Sequence, residues 1–155
     1  MLDLRDLYLT RPDIAYAVSK LSSYTANPSM QHVTMLKRVL QYLSGTRSYG
    51  ITYHDVLGHP NQFFGYADAL FANANNLKST TGYVFKMSSS MITWYSKRQS
   101  VTALSTMEAE YIALSEATQE ACWLRSLFSK LGFTQTLPTM IFSDNKGSIA
   151  ISRNP

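Results

Sequence analysis

Three acidic residues, Asp68, Glu110 and Asp144, have types and positions that could support metal chemistry. Asp68 and Asp144 each end an apolar stretch that predicts a strand, and Glu110 falls in the first turns of a predicted helix. Carboxylate oxygens are hard ligands that suit Mg²⁺ or Mn²⁺. We therefore predict that the three acids converge on a divalent cation. On spacing alone, an alternative stays open, namely three unrelated carboxylates at strand ends and a helix start.

The helix that carries Glu110 is the most strongly specified element. Ser105 with Glu108 three residues later forms a capping-box pattern, and Gly132 is a suitable residue just past the end. Glu108 lies roughly 200° around the helix from Glu110 and cannot share its face. A carboxylate on a packing face is costly unless something pairs with it. The face predicted to be buried consists of Glu110, Ala113, Ala117, Ala121, Leu124, Phe128 and Leu131.

The remaining pattern predicts an α/β domain preceded by two helices. The order of elements from residue 62 onward is β-β-β-α-β-α. The predicted strands cover 62–68, 81–87, 90–95 and 139–144, with a further short candidate at 50–53. The predicted helices cover 14–25, 29–45, 105–131 and 147–153.

Bulk properties bound the class of protein. With 155 residues and 45% hydrophobic composition, the chain can form a globular core. A net charge of +4 is compatible with nucleic-acid binding but does not require it. The single cysteine, Cys122, excludes an internal disulfide framework. No apolar segment is long enough to cross a membrane, no signal peptide is evident, and we expect no membrane partner.

Several motifs, in this order, resemble copia-type retrotransposon polyproteins. RPDIAYAV at 11–18 and LKRVLQYLSGT at 36–46 resemble the segment that joins the reverse transcriptase to the ribonuclease H domain. The resemblance to the ribonuclease H domain itself lies in GYADA at 65–69, KSTTGYVF at 78–85, ITWYSKRQ at 92–99, STMEAEY at 105–111 and FSDN at 142–145.

The resemblance implies a fold, a division of the chain and a chemistry. It implies a ribonuclease H-like mixed sheet, truncated before the last strand and helix, over residues 57–155. Residues 1–56 would be a helical connection segment. Asp68, Glu110 and Asp144 would be the catalytic and metal-binding acids. The implied cofactor is Mg²⁺ or Mn²⁺, and the implied substrate is the RNA strand of an RNA–DNA hybrid.

Two departures from the family pattern bear on activity. The family has Asp-Ala-Asp-Trp at the first acid, whereas this chain has Asp68-Ala69-Leu70-Phe71. The family's fourth acid has no counterpart within the 155 residues. We therefore expect weak hydrolysis or none, because each metal contributes several kcal/mol of transition-state stabilisation.

A co-opted binding protein is the second hypothesis. The same type of fragment resembles a protein of the oomycete RxLR class of secreted effectors, and Arg5-Asp6-Leu7-Tyr8 misses the Arg-x-Leu-Arg motif by one residue. Such a protein would act inside plant cells by binding an unknown host protein and would suppress defence cell death. Cytoplasm or nucleus is expected for a transposon-derived protein, and the host cell for a secreted effector.

Overall fold

A computed structural model describes residues 8–54, 62–72 and 78–153. The chain forms two compact units, Met1–Gly50 and Ile51–Pro155. Tyr53 belongs with the second unit because its hydroxyl donates to the carbonyl of Met91 at 2.8 Å. Among the described residues, no helix combines the length and apolar character needed to span a membrane. The Arg5–Tyr8 motif lies outside the described residues except for Tyr8.

The first unit is a helical pair. A 3₁₀ turn, Pro12–Ile14, leads into α1, Ala15–Ser22, and α2 spans Met30–Gly45. Arg11 forms an ion pair with Asp13 at 2.7 Å and donates to the hydroxyl of Thr46 at 2.7 Å. These contacts tie the start of α1 to the end of α2. The first helix is shorter than predicted, because turns follow Ser22.

The second unit is a mixed α/β fold, and its elements follow the predicted order. The sheet has the strand order β3-β2-β1-β4. Strand β1 pairs with β2 in an antiparallel manner and with β4 in parallel, which confirms the predicted mixed, ribonuclease H-like sheet. The elements are β1 Phe63–Leu70, β2 Thr80–Met87, β3 Ser90–Arg98, α3 Thr106–Lys130, β4 Ile141–Phe142 and α4 Lys146–Arg153.

One face of the sheet packs on α3. Alternation along β1 directs Phe63 and Ala67 to the helix, as expected for a strand with one buried face. Small residues on α3 allow close approach of helix to sheet. The buried cluster comprises Phe63, Ala67 and Phe85 from the sheet and Ala117, Ala121 and Leu124 from the helix.

A glycine makes room for the central ring of this core. Gly65 pairs across the sheet with Phe85, which is completely buried. A Cβ atom at Gly65 would lie 2.5 Å from the ring of Phe85, well inside van der Waals contact. The absence of a side chain at Gly65 therefore lets the ring lie over β1.

Three further sequence predictions differ from the structure. Strand β4 has two residues rather than six, because its pairing with β1 is limited to Gly65 with Ile141 and Tyr66 with Phe142. Leu131 lies past the end of α3 and is 59% exposed. Residues 50–53 form no strand.

Candidate active site

Strands β1 and β4 bring two of the acids to the same end of the sheet. Tyr66 of β1 and Phe142 of β4 are partners in the parallel pair. Asp68 and Asp144 each follow one of these partners by two residues. Since parallel strands run in the same direction, both carboxylates reach the same end of the sheet, and both residues are exposed there.

A capped helix start fixes the backbone next to Asp144. The side-chain oxygen of Asn145 accepts from the backbone N–H of Ser148 at 2.8 Å, and the Ser148 hydroxyl donates to the carbonyl of Asn145 at 2.9 Å. This arrangement satisfies one of the free N–H groups at the start of α4. The chain therefore turns sharply from β4 into α4, with Asp144 at the turn.

The start of α3 places Glu110. The Ser105 hydroxyl accepts from the backbone N–H of Glu108 at 3.1 Å, as predicted. The Glu108 carboxylate accepts from the backbone N–H of Leu104 at 2.6 Å, one residue earlier than in the standard capping box. Glu108 is exposed and Glu110 is 8% exposed, so the two acids occupy different faces, as predicted.

The three predicted acids meet. Asp68, Glu110 and Asp144 each offer a carboxylate oxygen, and these oxygens lie within 4.8 Å of one another. Burial, the negative charge of Asp68 and, more weakly, that of Asp144 raise the pKa of Glu110 to about 7, against the opposing effect of the Ala69 backbone N–H. The buried Oε2 of Glu110 has no hydrogen-bond partner.

This arrangement fits a divalent cation. Three acids at such short range repel one another, and a buried carboxylate oxygen without a donor is costly. A hard cation would neutralise the charge and provide the missing partner of Oε2. The donor set consists of oxygen atoms alone, which suits Mg²⁺ or Mn²⁺ better than softer metals.

Sequence patterns did not identify the buried polar residues between the strands and α3. Gln99 follows two basic residues in a polar stretch and gives no signal of burial, yet it is 2% exposed. Thr81 and Ser79 are similarly buried. Asn145 could have been recognised, since Asn before a helix is a common cap.

Comparison with known proteins identifies the family. The chain is 37% identical over 153 residues to the retrovirus-related Pol polyprotein from transposon RE1 of Arabidopsis thaliana, a match that covers 98% of the chain. It is 40% identical over 146 residues to the corresponding polyprotein from transposon TNT 1-94 of Nicotiana tabacum, covering 94% of the chain. It is also 44% identical over 119 residues to secreted RxLR effector protein 161 of Plasmopara viticola, covering 76% of the chain and 82% of that protein.

The chain belongs to the copia-type retrotransposon Pol polyprotein family. It spans 10% of the RE1 polyprotein and 11% of the TNT 1-94 polyprotein. No protein-family model matches the chain, and no solved structure is detectably similar to it. The match to the RE1 polyprotein covers 98% of the chain, so it includes both compact units.

Proposed function

We propose that this copia-type chain carries a ribonuclease H-like site that hydrolyses the RNA strand of RNA–DNA hybrids, with weak activity. The observation that supports the proposal is the meeting of Asp68, Glu110 and Asp144 within 4.8 Å, from three separate elements. Divalent cations, when bound, supply the positive charge that activates water and stabilises the leaving oxygen in phosphodiester hydrolysis.

Each acid has a distinct role in this proposal. Asp68, on the central strand β1, would be a ligand of both cations. Asp144 would help orient the side on which water attacks. Glu110 would hold the leaving-group side and accept a hydrogen bond from the ribose 2′-OH, the group that distinguishes RNA from DNA.

The protonation state of Glu110 sets a pH requirement. A carboxyl group with a pKa of about 7 is partly protonated at neutral pH and cannot then act as a full cation ligand. We therefore expect hydrolysis to rise as the pH increases through 7. At fixed pH, higher cation concentration would have the same effect, because cation binding displaces the proton.

Weak activity is expected from the number of acids. Within the residues that the structure describes, the clustered ligand set comprises three acids. Leu70 stands where the family pattern has a further acid close to the first one. Fewer ligands hold the second cation less well, and the rate falls accordingly.

Cleavage of a labelled RNA–DNA hybrid in Mg²⁺ or Mn²⁺ tests the proposal. Wild type is compared with Asp68→Asn and Glu110→Gln, and Glu108→Gln serves as the matched control because Glu108 is an exposed acid on the same helix. We expect wild type and Glu108→Gln to cleave RNA and the other two variants to lose at least about a hundredfold in rate. A folded wild-type protein that cleaves no faster than Asp68→Asn would refute it.

One sequence similarity favours a second function, the binding of a protein of the host cell. The chain covers 82% of the Plasmopara viticola secreted RxLR effector protein at 44% identity, so it matches most of the length of that relative. On this alternative the chain acts inside plant cells by binding a host protein and suppresses defence cell death. The three acids would then be dispensable.

The two functions are separated by expressing the protein in leaf cells together with a cell-death elicitor and measuring cell death. The binding function predicts that wild type and Asp68→Asn reduce cell death equally. Loss of the effect in Asp68→Asn would instead tie the phenotype to the acid cluster. No reduction by the wild-type protein would contradict the second function.

A further inference from the structure

We infer that Gln99 is a positioning residue that holds Glu110 against Asp68. The inference rests on the proposed function and deepens it, because it concerns how the chain keeps its three acids together. The basis is a buried hydrogen-bond network beneath the start of α3. Its members lie on β2, on the segment after β3 and on α3.

The Gln99 side chain connects β2 with α3. Its Nε2 donates to the hydroxyl oxygen of Thr81 at 3.0 Å and to the backbone carbonyl of Ala109 at 3.0 Å. Because the Ala109 carbonyl can only accept a hydrogen bond, the atom of the Gln99 amide that faces it is the nitrogen. All three residues are at most 2% exposed, so water does not compete for these bonds.

Both partners of Gln99 adjoin the acids. Thr81 pairs across the sheet with Ala69, the residue directly after Asp68. Ala109, the fourth residue of α3, directly precedes Glu110. The amide of Gln99 therefore spans the distance between the strand pair that carries Asp68 and the helix that carries Glu110.

Neighbouring bonds fix the position of Gln99 itself. Its backbone N–H donates to the carbonyl of Ser79 at 2.8 Å. The Ser79 hydroxyl accepts from the backbone N–H of Ala72 at 3.2 Å, close to the end of β1. The same network thus reaches the chain at Ala69 and at Ala72, shortly after Asp68.

Stability alone does not explain the choice of glutamine here. The Oε1 atom of Gln99 is buried and has no hydrogen-bond partner. An unpaired buried acceptor is unfavourable for folding, so an apolar side chain of similar length would remove that cost. What such a side chain cannot do is hold the Ala109 carbonyl at a fixed distance from Thr81.

Substitution of Gln99 by methionine separates positioning from folding. Gln99→Met keeps the length of the side chain and removes both bonds and the unpaired acceptor. The matched control is Gln119→Met, at an exposed glutamine on α3. We measure thermal unfolding, Mn²⁺ affinity by electron paramagnetic resonance, and kcat and KM on a hybrid, and we solve the metal-free crystal structures.

We expect Gln99→Met to fold with only a small change in unfolding temperature, because it removes the unpaired Oε1 but leaves the buried Thr81 hydroxyl without its donor. Its carboxylates at 68 and 110 should lie farther apart, with about tenfold weaker Mn²⁺ binding and about tenfold lower kcat, at an unchanged KM, as for substitutions of residues that orient metal ligands. Unchanged carboxylate separation and Mn²⁺ affinity, or equal effects in Gln119→Met, would overturn the inference. If Gln99→Met does not fold, Thr81→Val is tested by the same measurements. We expect it to lose less Mn²⁺ affinity and kcat than Gln99→Met would. Wild-type Mn²⁺ affinity and kcat in Thr81→Val would contradict the inference.

The crystal structures keep the two proposals distinguishable. If wild type neither binds Mn²⁺ nor cleaves RNA, the proposed function fails. The positioning role is still tested by the separation of the two carboxylates in metal-free Gln99→Met. An unchanged separation would overturn the positioning role whatever the activity of the wild-type protein.

Discussion

Glu110 is buried against Asp68, and carboxylate oxygens of the two residues lie within 4.8 Å of each other. Burial and the charge of Asp68 are the two largest causes that raise the pKa of Glu110 to about 7. A protein that needed only stability would not retain this pair, since each ionised group makes the other less favourable. The pair is understandable if a cation occupies the space between the carboxylates.

The stability of the metal-free protein should fall as the pH rises from about 4.5 to about 7. In this window folded Glu110 holds a proton that the unfolded chain has released, so the stabilisation present below pH 4.5 is lost as the pH passes through 7. One pKa unit corresponds to about 1.4 kcal/mol, so the rise of the Glu110 pKa from 4.5 to about 7 limits the loss to at most about 3.5 kcal/mol.

Denaturant unfolding at several pH values measures this effect. Glu110→Gln removes the titrating group and should flatten the dependence relative to wild type. Identical pH dependence in the two proteins would show that the pKa of Glu110 is not raised.

Asp68→Asn should stabilise the metal-free protein at pH 8. The substitution removes the negative charge that most strongly opposes ionisation of Glu110, and a gain of about 1 kcal/mol is typical when repulsion in an active site is relieved. Asp144→Asn should give a smaller gain, because the charge of Asp144 has the weaker effect on the pKa of Glu110. Thermal unfolding in the presence of a chelator measures both. A loss of stability in Asp68→Asn would contradict the account.

Gly65→Ala should destabilise the protein by about 1–3 kcal/mol, the usual cost of overpacking a core. The added methyl group would lie 2.5 Å from the buried ring of Phe85. Gly82→Ala is a matched control on the neighbouring strand, since a Cβ there lies no closer than 3.9 Å to other atoms. Urea unfolding midpoints compare the two variants. Equal midpoints would mean that Phe85 is free to move away from β1.

Asn145→Ala should cost about 1 kcal/mol through loss of the α4 cap. Asn145→Asp keeps a side-chain oxygen that can accept from the N–H of Ser148, and it should retain most of the stability in unfolding experiments. It should nevertheless disturb the site, because it adds a carboxylate next to Asp144. If Asn145→Asp were as unstable as Asn145→Ala, the capping role would be wrong.

The order of elements could be predicted because it follows from local patterns. Those patterns alone left the meeting of the acids open, and the resemblance to the copia family decided it. The apolar stretch before Asp68 predicted β1, and the three-to-four residue spacing of apolar residues along α3 predicted which face carries Glu110. The parallel course of β1 and β4 then brings Asp68 and Asp144 to one edge.

The burial of individual side chains could not be predicted where it depends on how far another element of the fold extends. The periodicity that places Leu124 on the buried face of α3 continues to Leu131, yet Leu131 is 59% exposed. Periodicity defines a face of a helix but not where the sheet beneath it ends. Gln99 is a stronger case, since its burial follows from contacts with two distant elements and from nothing in its own neighbourhood.

Titration of the metal-free protein with Mn²⁺ at pH 8 tests the central claim most directly, namely that Asp68, Glu110 and Asp144 share a divalent cation. Electron paramagnetic resonance reports free Mn²⁺, and wild type is compared with Asp68→Asn, Glu110→Gln and the exposed control Glu108→Gln. The account predicts saturable binding to wild type and Glu108→Gln that weakens at least about tenfold in the other two variants. Equal binding by all four proteins, or no saturable binding by folded wild type, would contradict it.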